Sequence, residues 1–256
     1  MNNLIAALII AVVQGITEWI PVSSSGHLVI FEKLLGYSGG MMFDVALHFG
    51  TLMAVFVYFG KEITDIIEDL LKGRWESKNA KLGLLLIIAT LPAAIVGFLL
   101  RNVFESVFGS LGVTALGFGV TGLFLFISSL GFKSGGRFGI GKSFLVGCSQ
   151  IFSLFPGVSR SGATISSGLL LGLNEKDAVK FSFLMSIPII FGANILAIGS
   201  KTLPSELIWA AMISFFVGLL SLHFVYTYIL TTRKNLRWFG LYALLLALVI
   251  GVFVLF

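Results

Sequence analysis

Residues 14–27 read QGITEWIPVSSSGH, and they interrupt an N-terminus that is otherwise built for lipid. Residues 4–13, LIAALIIAVV, carry no polar side chain. A helix crossing about 30 Å of hydrocarbon needs about 20 apolar residues, and the apolar stretch 4–20 instead runs into Glu18 and Pro21. Proline removes a backbone donor and clashes with the preceding turn, and a carboxylate at membrane depth costs a few kcal/mol unless it faces water or a partner. A second short helix is expected over 26–35, stopping at Gly36. Half a helix, a polar break and another half helix imply a re-entrant hairpin spanning about 4–35, a backbone tolerated only where it is buried in protein or lines a wet cavity.

The same arrangement returns later in the chain. A shift of 136 residues lays QGITEWIPVSSSGH over QIFSLFPGVSRSGA, with Gln14 on Gln150, Val22 on Val158, Ser23 on Ser159, Ser25 on Ser161 and Gly26 on Gly162. The prolines are out of step by one. The second hairpin is expected over about 143–171, closing at Gly172. Six longer apolar segments can span a bilayer: 41–60, 82–100, 112–131, 181–200, 207–229 and 237–256. Each half is then a hairpin plus three spans, 1–132 and 133–256, within one membrane domain covering 1–256. Three is odd, so the second half enters the membrane inverted, as in transporter folds whose sites form where broken helices meet. With the first hairpin opening outward, the inner joints 61–81, 132–142, 173–180 and 230–237 hold thirteen Lys and Arg. The outer joints hold three: Lys33, Arg101 and Lys201. That bias is the one expected for cytoplasmic loops.

Composition agrees. Of 256 residues 57% are hydrophobic and 11% charged, against roughly a quarter charged in soluble domains. The chain therefore reads as an all-α polytopic membrane protein with six transmembrane helices and two re-entrant hairpins in an inverted repeat. The net charge of +5 is scattered between apolar spans, so it carries topology and gives no reason to expect a nucleic-acid partner. One cysteine, Cys148, excludes an internal disulfide and is expected to be buried. Residues 1–17 lack charge, so no cleavable signal peptide is expected.

The polar residues of the breaks are the candidates for chemistry. Glu18 either sits at a water interface beside Trp19, an aromatic-belt residue, or faces an internal cavity where it binds a cation or acts as a base. Gln14 lies four residues earlier on the same helix face. The runs SSSG at 23–26 and SRSG at 159–162 each precede a short helix, where free N–H groups and hydroxyls suit an oxyanion; serine also caps helices for purely structural reasons. Arg160 points to the anion, since a guanidinium inside a break needs a phosphate or a buried carboxylate. Thr164 follows one helical turn later. His27, beside Ser24, Ser25 and Glu18, is read as a proton partner. Asp44 and His48, in FDVALHFG, reach the same cavity or form an interfacial pair, and both readings stay open. His223 is given a packing role.

These residues resemble the bacterial undecaprenyl-diphosphate phosphatase family, membrane enzymes of the bacitracin-resistance type. QGITE fits its [E/Q]-x-x-x-E pattern and PGVSRSGAT its P-G-x-S-R-S-x-x-T pattern, with PVSSSGH and FDVALHFG as further shared segments. The resemblance covers nearly the whole chain. It implies hydrolysis of undecaprenyl diphosphate to undecaprenyl phosphate and inorganic phosphate, recycling the lipid carrier for cell-wall synthesis and conferring bacitracin resistance. It also implies a divalent cation (Mg2+ or Ca2+), a homodimer, and a site opening to the outer face of the bacterial plasma membrane. Gln14 stands where many relatives have glutamate, and an amide cannot take a proton, which leaves Glu18 carrying the charge.

Carried onto this chain, the expected catalytic set is Glu18, Ser24, His27 and Arg160, with Gln14, Ser23, Ser25, Ser159, Ser161 and Thr164 binding the diphosphate. Glu18 is also the expected ligand of the metal. Ser24 attacks phosphorus with His27 as proton partner; direct attack by water is the open alternative. A transporter or lipid flippase on the same inverted repeat is the competing function, because that architecture is what transporters use.

Overall fold

The computed structural model describes residues 3–37, 39–131, 138–198 and 206–256. These residues form helices and no strand. A short pair, α1 (Asn3–Thr17) and α2 (Ser24–Leu35), precedes the long α3 (Gly40–Tyr58), α5 (Lys78–Leu99) and α7 (Leu111–Ser129). The short α4 (Gly60–Leu71) and α6 (Arg101–Val107) lie between these long helices. A second short pair, α8 (Ile140–Ile151) and α9 (Arg160–Leu170), precedes α10 (Glu175–Ile198), α11 (Glu206–Phe224) and α12 (Leu236–Leu255). Six of these segments are long and apolar enough to cross a membrane, the same six the sequence marks.

Two differences have plain physical causes. Helix α10 starts six residues before the expected span because Asn174 caps it, its Oδ1 accepting from the Asp177 N–H at 2.9 Å. The joint 61–81 is partly helical. In α4, Ile63, Ile66, Ile67 and Leu70 recur at helical spacing, and Ile66 and Leu70 lie over Gly83 of α5. Its other face is charged, with i,i+4 pairs from Lys61 to Asp65 at 2.9 Å and Lys72 to Glu68 at 2.5 Å. Of the basic joint at 132–142, residues 132–137 lie outside the described residues, as does Lys201.

Contacts between the halves position both breaks. Helix α3 packs on α11, α1 on α11, α10 on α3, and α5 on α8, while α7 packs on α9 and on α12. Helix α9, RSGATISSGLL, is buried from Ser161 to Leu169 among α7, α8 and α10. Only small side chains allow such close approach, and each hydroxyl needs a partner in that setting. Ser128 donates to Ser166 at 3.0 Å, Ser149 to the Ala163 carbonyl at 3.4 Å, and Thr164 shares a hydrogen bond with Ser182 at 2.6 Å. Trp19 and Phe183 meet edge to face at 5.1 Å in the main apolar core. Trp19 is fully buried, which overturns the aromatic-belt reading of the Glu18–Trp19 pair. Cys148 is only half-buried and free.

Candidate functional site

The first break forms because α1 cannot continue past Thr17. The Glu18 N–H still bonds the Gln14 carbonyl at 3.0 Å, but Pro21 has no donor, and the chain turns with Val22 N–H on the Ile20 carbonyl at 2.7 Å. Helix α2 then restarts with Ser23 as its cap, the hydroxyl accepting from the Gly26 N–H at 3.2 Å. In the second break α8 runs into one 3₁₀ turn, Phe152–Leu154, and Pro156-Gly157 ends it. Gly157 has φ 88° and lies against α7 so closely that a Cβ there would stand 2.1 Å from the Thr114 carbonyl oxygen. Thr121 of α7 locks this turn, donating to the Gly157 carbonyl at 2.8 Å and accepting from the Ser159 N–H at 2.8 Å. Ser159 caps α9, its hydroxyl accepting from the Gly162 N–H at 3.0 Å.

Both breaks open into one cavity of about 680 Å³. Glu18, Ser23, Ser24 and Ser25 line it from the first break and Ser159 and Arg160 from the second. Asp44 and His48 also face it from α3, so the cavity reading of that pair is the one the geometry bears out. One flank is apolar, with Met41, Val45, Ile189 and Ile190 facing Phe104 and Phe108.

Glu18 and Arg160 join the two breaks directly. An Arg160 Nη2 hydrogen bond and ion pair reaches Glu18 Oε1, and the guanidinium carbon stands 5.8 Å over the Trp19 ring. The carboxylate of Glu18 is almost wholly enclosed, its side chain 4% exposed. Its other oxygen accepts from Ser24 Oγ at 2.6 Å and from Gln14 Nε2 at 2.9 Å, and His48 Nε2 stands 3.7 Å away. Burying an ion pair is expensive and breaking one by removing a single partner costs about 3–5 kcal/mol. The lone charge of Glu18 is thus accounted for by Arg160, 142 residues away in sequence. Arg160 Nη1 is buried and makes no hydrogen bond to the described residues. One nitrogen of the fork holds Glu18, and the other is left without a partner among the described residues.

The remaining predicted residues divide. Gln14, Ser161, Thr164 and His27 do not line the cavity. Ser161 shares a bond with Ser159 at 3.2 Å, and Thr164 donates to the Arg160 carbonyl at 2.8 Å, so both brace the turn that carries Arg160. His27 lies behind the serines. Its Nδ1 bonds the Ser23 carbonyl at 2.7 Å and its Nε2 meets Tyr242 Oη at 2.8 Å, so neither ring nitrogen is directed at Ser24. Glu18, not His27, is the group in hydrogen-bond reach of the Ser24 hydroxyl. Sequence reasoning passed over Thr121, Ser182 and Tyr242, which sit in spans that read as plain apolar segments. His223 is exposed on α11 and bonds Tyr58 Oη at 3.3 Å beside an aromatic cluster, away from the cavity.

For a divalent cation the donors are few. Among the described residues no three His, Cys, Asp or Glu side chains gather to hold one. Glu18 is shared by three donors, and the buried Gln14 Oε1 has no partner. Of the two, only Glu18 lines the cavity, so the residues present fit a hard cation that takes most of its shell from substrate phosphates, as Mg2+ usually does, and do not fit an all-protein cage. The site as a whole offers a hydroxyl on a buried carboxylate, a half-free guanidinium and a helix start across a small gap. That is what transfer of a phosphoryl group requires: a positioned nucleophile, a proton acceptor and fixed positive charge.

Comparison with known proteins points the same way. A family model described as Bacitracin resistance protein BacA matches residues 7–249. An undecaprenyl-diphosphatase of Thermosipho melanesiensis is 39% identical over 243 residues, 94% of this chain and 96% of its own. One of Rubrobacter xylanophilus is 38% identical over 273 residues, covering both chains fully. One of Trichlorobacter lovleyi is 42% identical over 208 residues, 76% of this chain and 74% of its own.

Proposed function

The chain belongs to the BacA family of bacitracin resistance proteins, and from that premise we propose that it hydrolyses undecaprenyl diphosphate to undecaprenyl phosphate and inorganic phosphate. The observation that carries this reading is the cavity in which Ser24 and Arg160 meet on either side of Glu18. The prenyl chain lies along the apolar flank while the diphosphate occupies the junction of the breaks. Arg160 Nη1, Ser159, Ser25 and the N–H groups opening α9 hold phosphoryl oxygens. Ser24 Oγ attacks the terminal phosphorus, giving its proton to Glu18 as the Oγ–P bond forms and the bridging P–O bond breaks. The prenyl monophosphate departs. Water then cleaves the phosphoserine, phosphate leaves, and Ser24 regains a proton. Gln14 and Arg160 hold Glu18 in place throughout. Glu18 is the residue that would hold a Mg2+ or Ca2+ ion together with the substrate, and such an ion would supply neutralisation of diphosphate charge.

In the same reading the pairs α1–α2 and α8–α9 are re-entrant hairpins, the halves 1–132 and 133–256 are inverted copies within one membrane domain, and the cavity opens to the outer face of the bacterial inner membrane. The thirteen-to-three distribution of basic residues supports that orientation. A homodimer and resistance to bacitracin belong to it as well.

The test is phosphate release from purified protein in detergent, with a prenyl diphosphate as substrate. A lipid flippase needs two compartments to be observed and a hydrolase does not, so lipid movement in vesicles without release in micelles would establish the transporter instead. Glu18→Gln keeps the shape but removes the proton acceptor and the charge. Release is expected to fall by about a hundredfold, and the residual rate to lose most of its sensitivity to chelator. A variant as fast as wild type would remove Glu18 from the chemistry.

A further inference from the structure

Ser23 is the one residue other than glycine with positive φ among the described residues, at φ 67° and ψ 96°. Its counterpart in the second break, Ser159, is ordinary extended backbone at φ −71° and ψ 120°, and the positive φ there falls on Gly157. A side chain in that region is strained and persists only where its surroundings hold it. The strained residue immediately precedes Ser24, whose Oγ stands 2.6 Å from Glu18.

Besides its capping hydroxyl, Ser23 is held by its carbonyl oxygen. It accepts from the His27 N–H at 3.2 Å and from His27 Nδ1 at 2.7 Å. A carbonyl can only accept, so Nδ1 carries a proton, and in the neutral ring Nε2 bears the lone pair. Nε2 therefore accepts from Tyr242 Oη, 2.8 Å away on α12. The two rings lie within 9° of parallel at 5.9 Å, and Phe118 stands edge-on to His27 at 5.4 Å. The partner on the far side of an imidazole sets which nitrogen is protonated and how the ring is oriented.

We infer that Tyr242 is a positioning residue for the nucleophile: its hydroxyl anchors the far side of the His27 ring, whose Nδ1–H clamps the strained Ser23 carbonyl and so aims Ser24. This rests on the reading in which Ser24 attacks phosphorus. Without the hydroxyl, Nε2 loses its partner and the ring is free to turn, which carries Nδ1–H away from the Ser23 carbonyl. The clamp is lost, Ser23 relaxes and Ser24 shifts. A displacement of about 1 Å can cost a hundredfold in rate, whereas Arg160 and Ser159, on the other break, still bind the diphosphate.

The test is Tyr242→Phe, which keeps the ring, in the purified full-length protein. The expected result is a kcat lower by about tenfold, with KM unchanged within about twofold and an unchanged melting temperature. A second comparison uses His27→Asn, whose amide N–H can reach the Ser23 carbonyl without help from Tyr242. In that background Tyr242→Phe is expected to be silent. An unchanged kcat, a change confined to KM, a fall in melting temperature that accompanies the loss, or the same fold-loss in both backgrounds would overturn the inference. Should His27→Asn be too slow to assay, the kcat-against-KM split at constant melting temperature decides it. A wild-type protein that releases no phosphate would overturn the phosphatase reading, and the inference with it; active wild type with an equally active Tyr242→Phe would overturn the inference alone.

Discussion

Arg160→Lys is expected to lower kcat/KM for phosphate release by about a thousandfold although it conserves charge. In the proposed site the guanidinium does two things at once: Nη2 binds Glu18, and the side chain lines the cavity assigned to the phosphoryl oxygens, with Nη1 buried and without a partner among the described residues. Its flat face also sits over Trp19. A lysine ammonium is a single point charge with no fork and stacks poorly on an indole. It can satisfy Glu18 or the substrate and not both in fixed geometry. Loss of one preorganised donor to the charge that develops in the transition state costs about a hundredfold to a thousandfold, and here the Glu18 contact is disturbed as well. Rates within about tenfold of wild type would remove Arg160 from the core of the site.

Ser24→Ala is expected to have the larger effect, a fall of about ten-thousandfold in kcat, since removal of a nucleophile leaves only the binding and charge stabilisation of its surroundings. Ser24 begins α2 at the cavity wall and bonds only Glu18 through its side chain, so the fold and substrate affinity are expected to survive. Steady-state rates together with the affinity for a non-hydrolysable prenyl diphosphonate separate the two. Turnover near wild type would show that water attacks directly, with Ser24 a binding group.

The spans, the paired breaks and the two charges that face the cavity from them were legible in sequence because each breaks a strong local rule. Glu18 and Arg160 are charges set in apolar sequence, and Pro21 and Pro156 end apolar helices too short to cross a membrane. Such violations stand out against 57% hydrophobic residues. The ion pair between Glu18 and Arg160 was half visible, as two charges each in need of an opposite. Their common oxygen-level geometry was not, because the pairing is set by packing of α1 and α8 against the other helices and not by local pattern. The same limit explains His27. Its place in PVSSSGH suggested a proton partner for the adjacent serine, but one turn of α2 directs the ring back onto the Ser23 carbonyl and toward α12. No sequence signal joins residue 27 to residue 242. Thr121, which locks the second break, is likewise one hydroxyl in a helix of small and apolar residues. The helical part of the joint 61–81 was legible in principle, through the spacing of Ile63, Ile66, Ile67 and Leu70, and was obscured by the density of charge around it.

A single site made from two breaks stands or falls on the contact between Glu18 and Arg160, and a double-mutant cycle on stability measures that contact directly. Melting temperatures, or denaturant midpoints in detergent, are compared for wild type, Glu18→Gln, Arg160→Gln and the double variant. Each single change leaves one buried charge without its partner, at a cost of about 3–5 kcal/mol, whereas the double change leaves two amides able to bond each other. If the breaks meet as described, the double variant is at least as stable as either single variant. Losses that simply add would place Glu18 and Arg160 in separate environments and contradict the shared site.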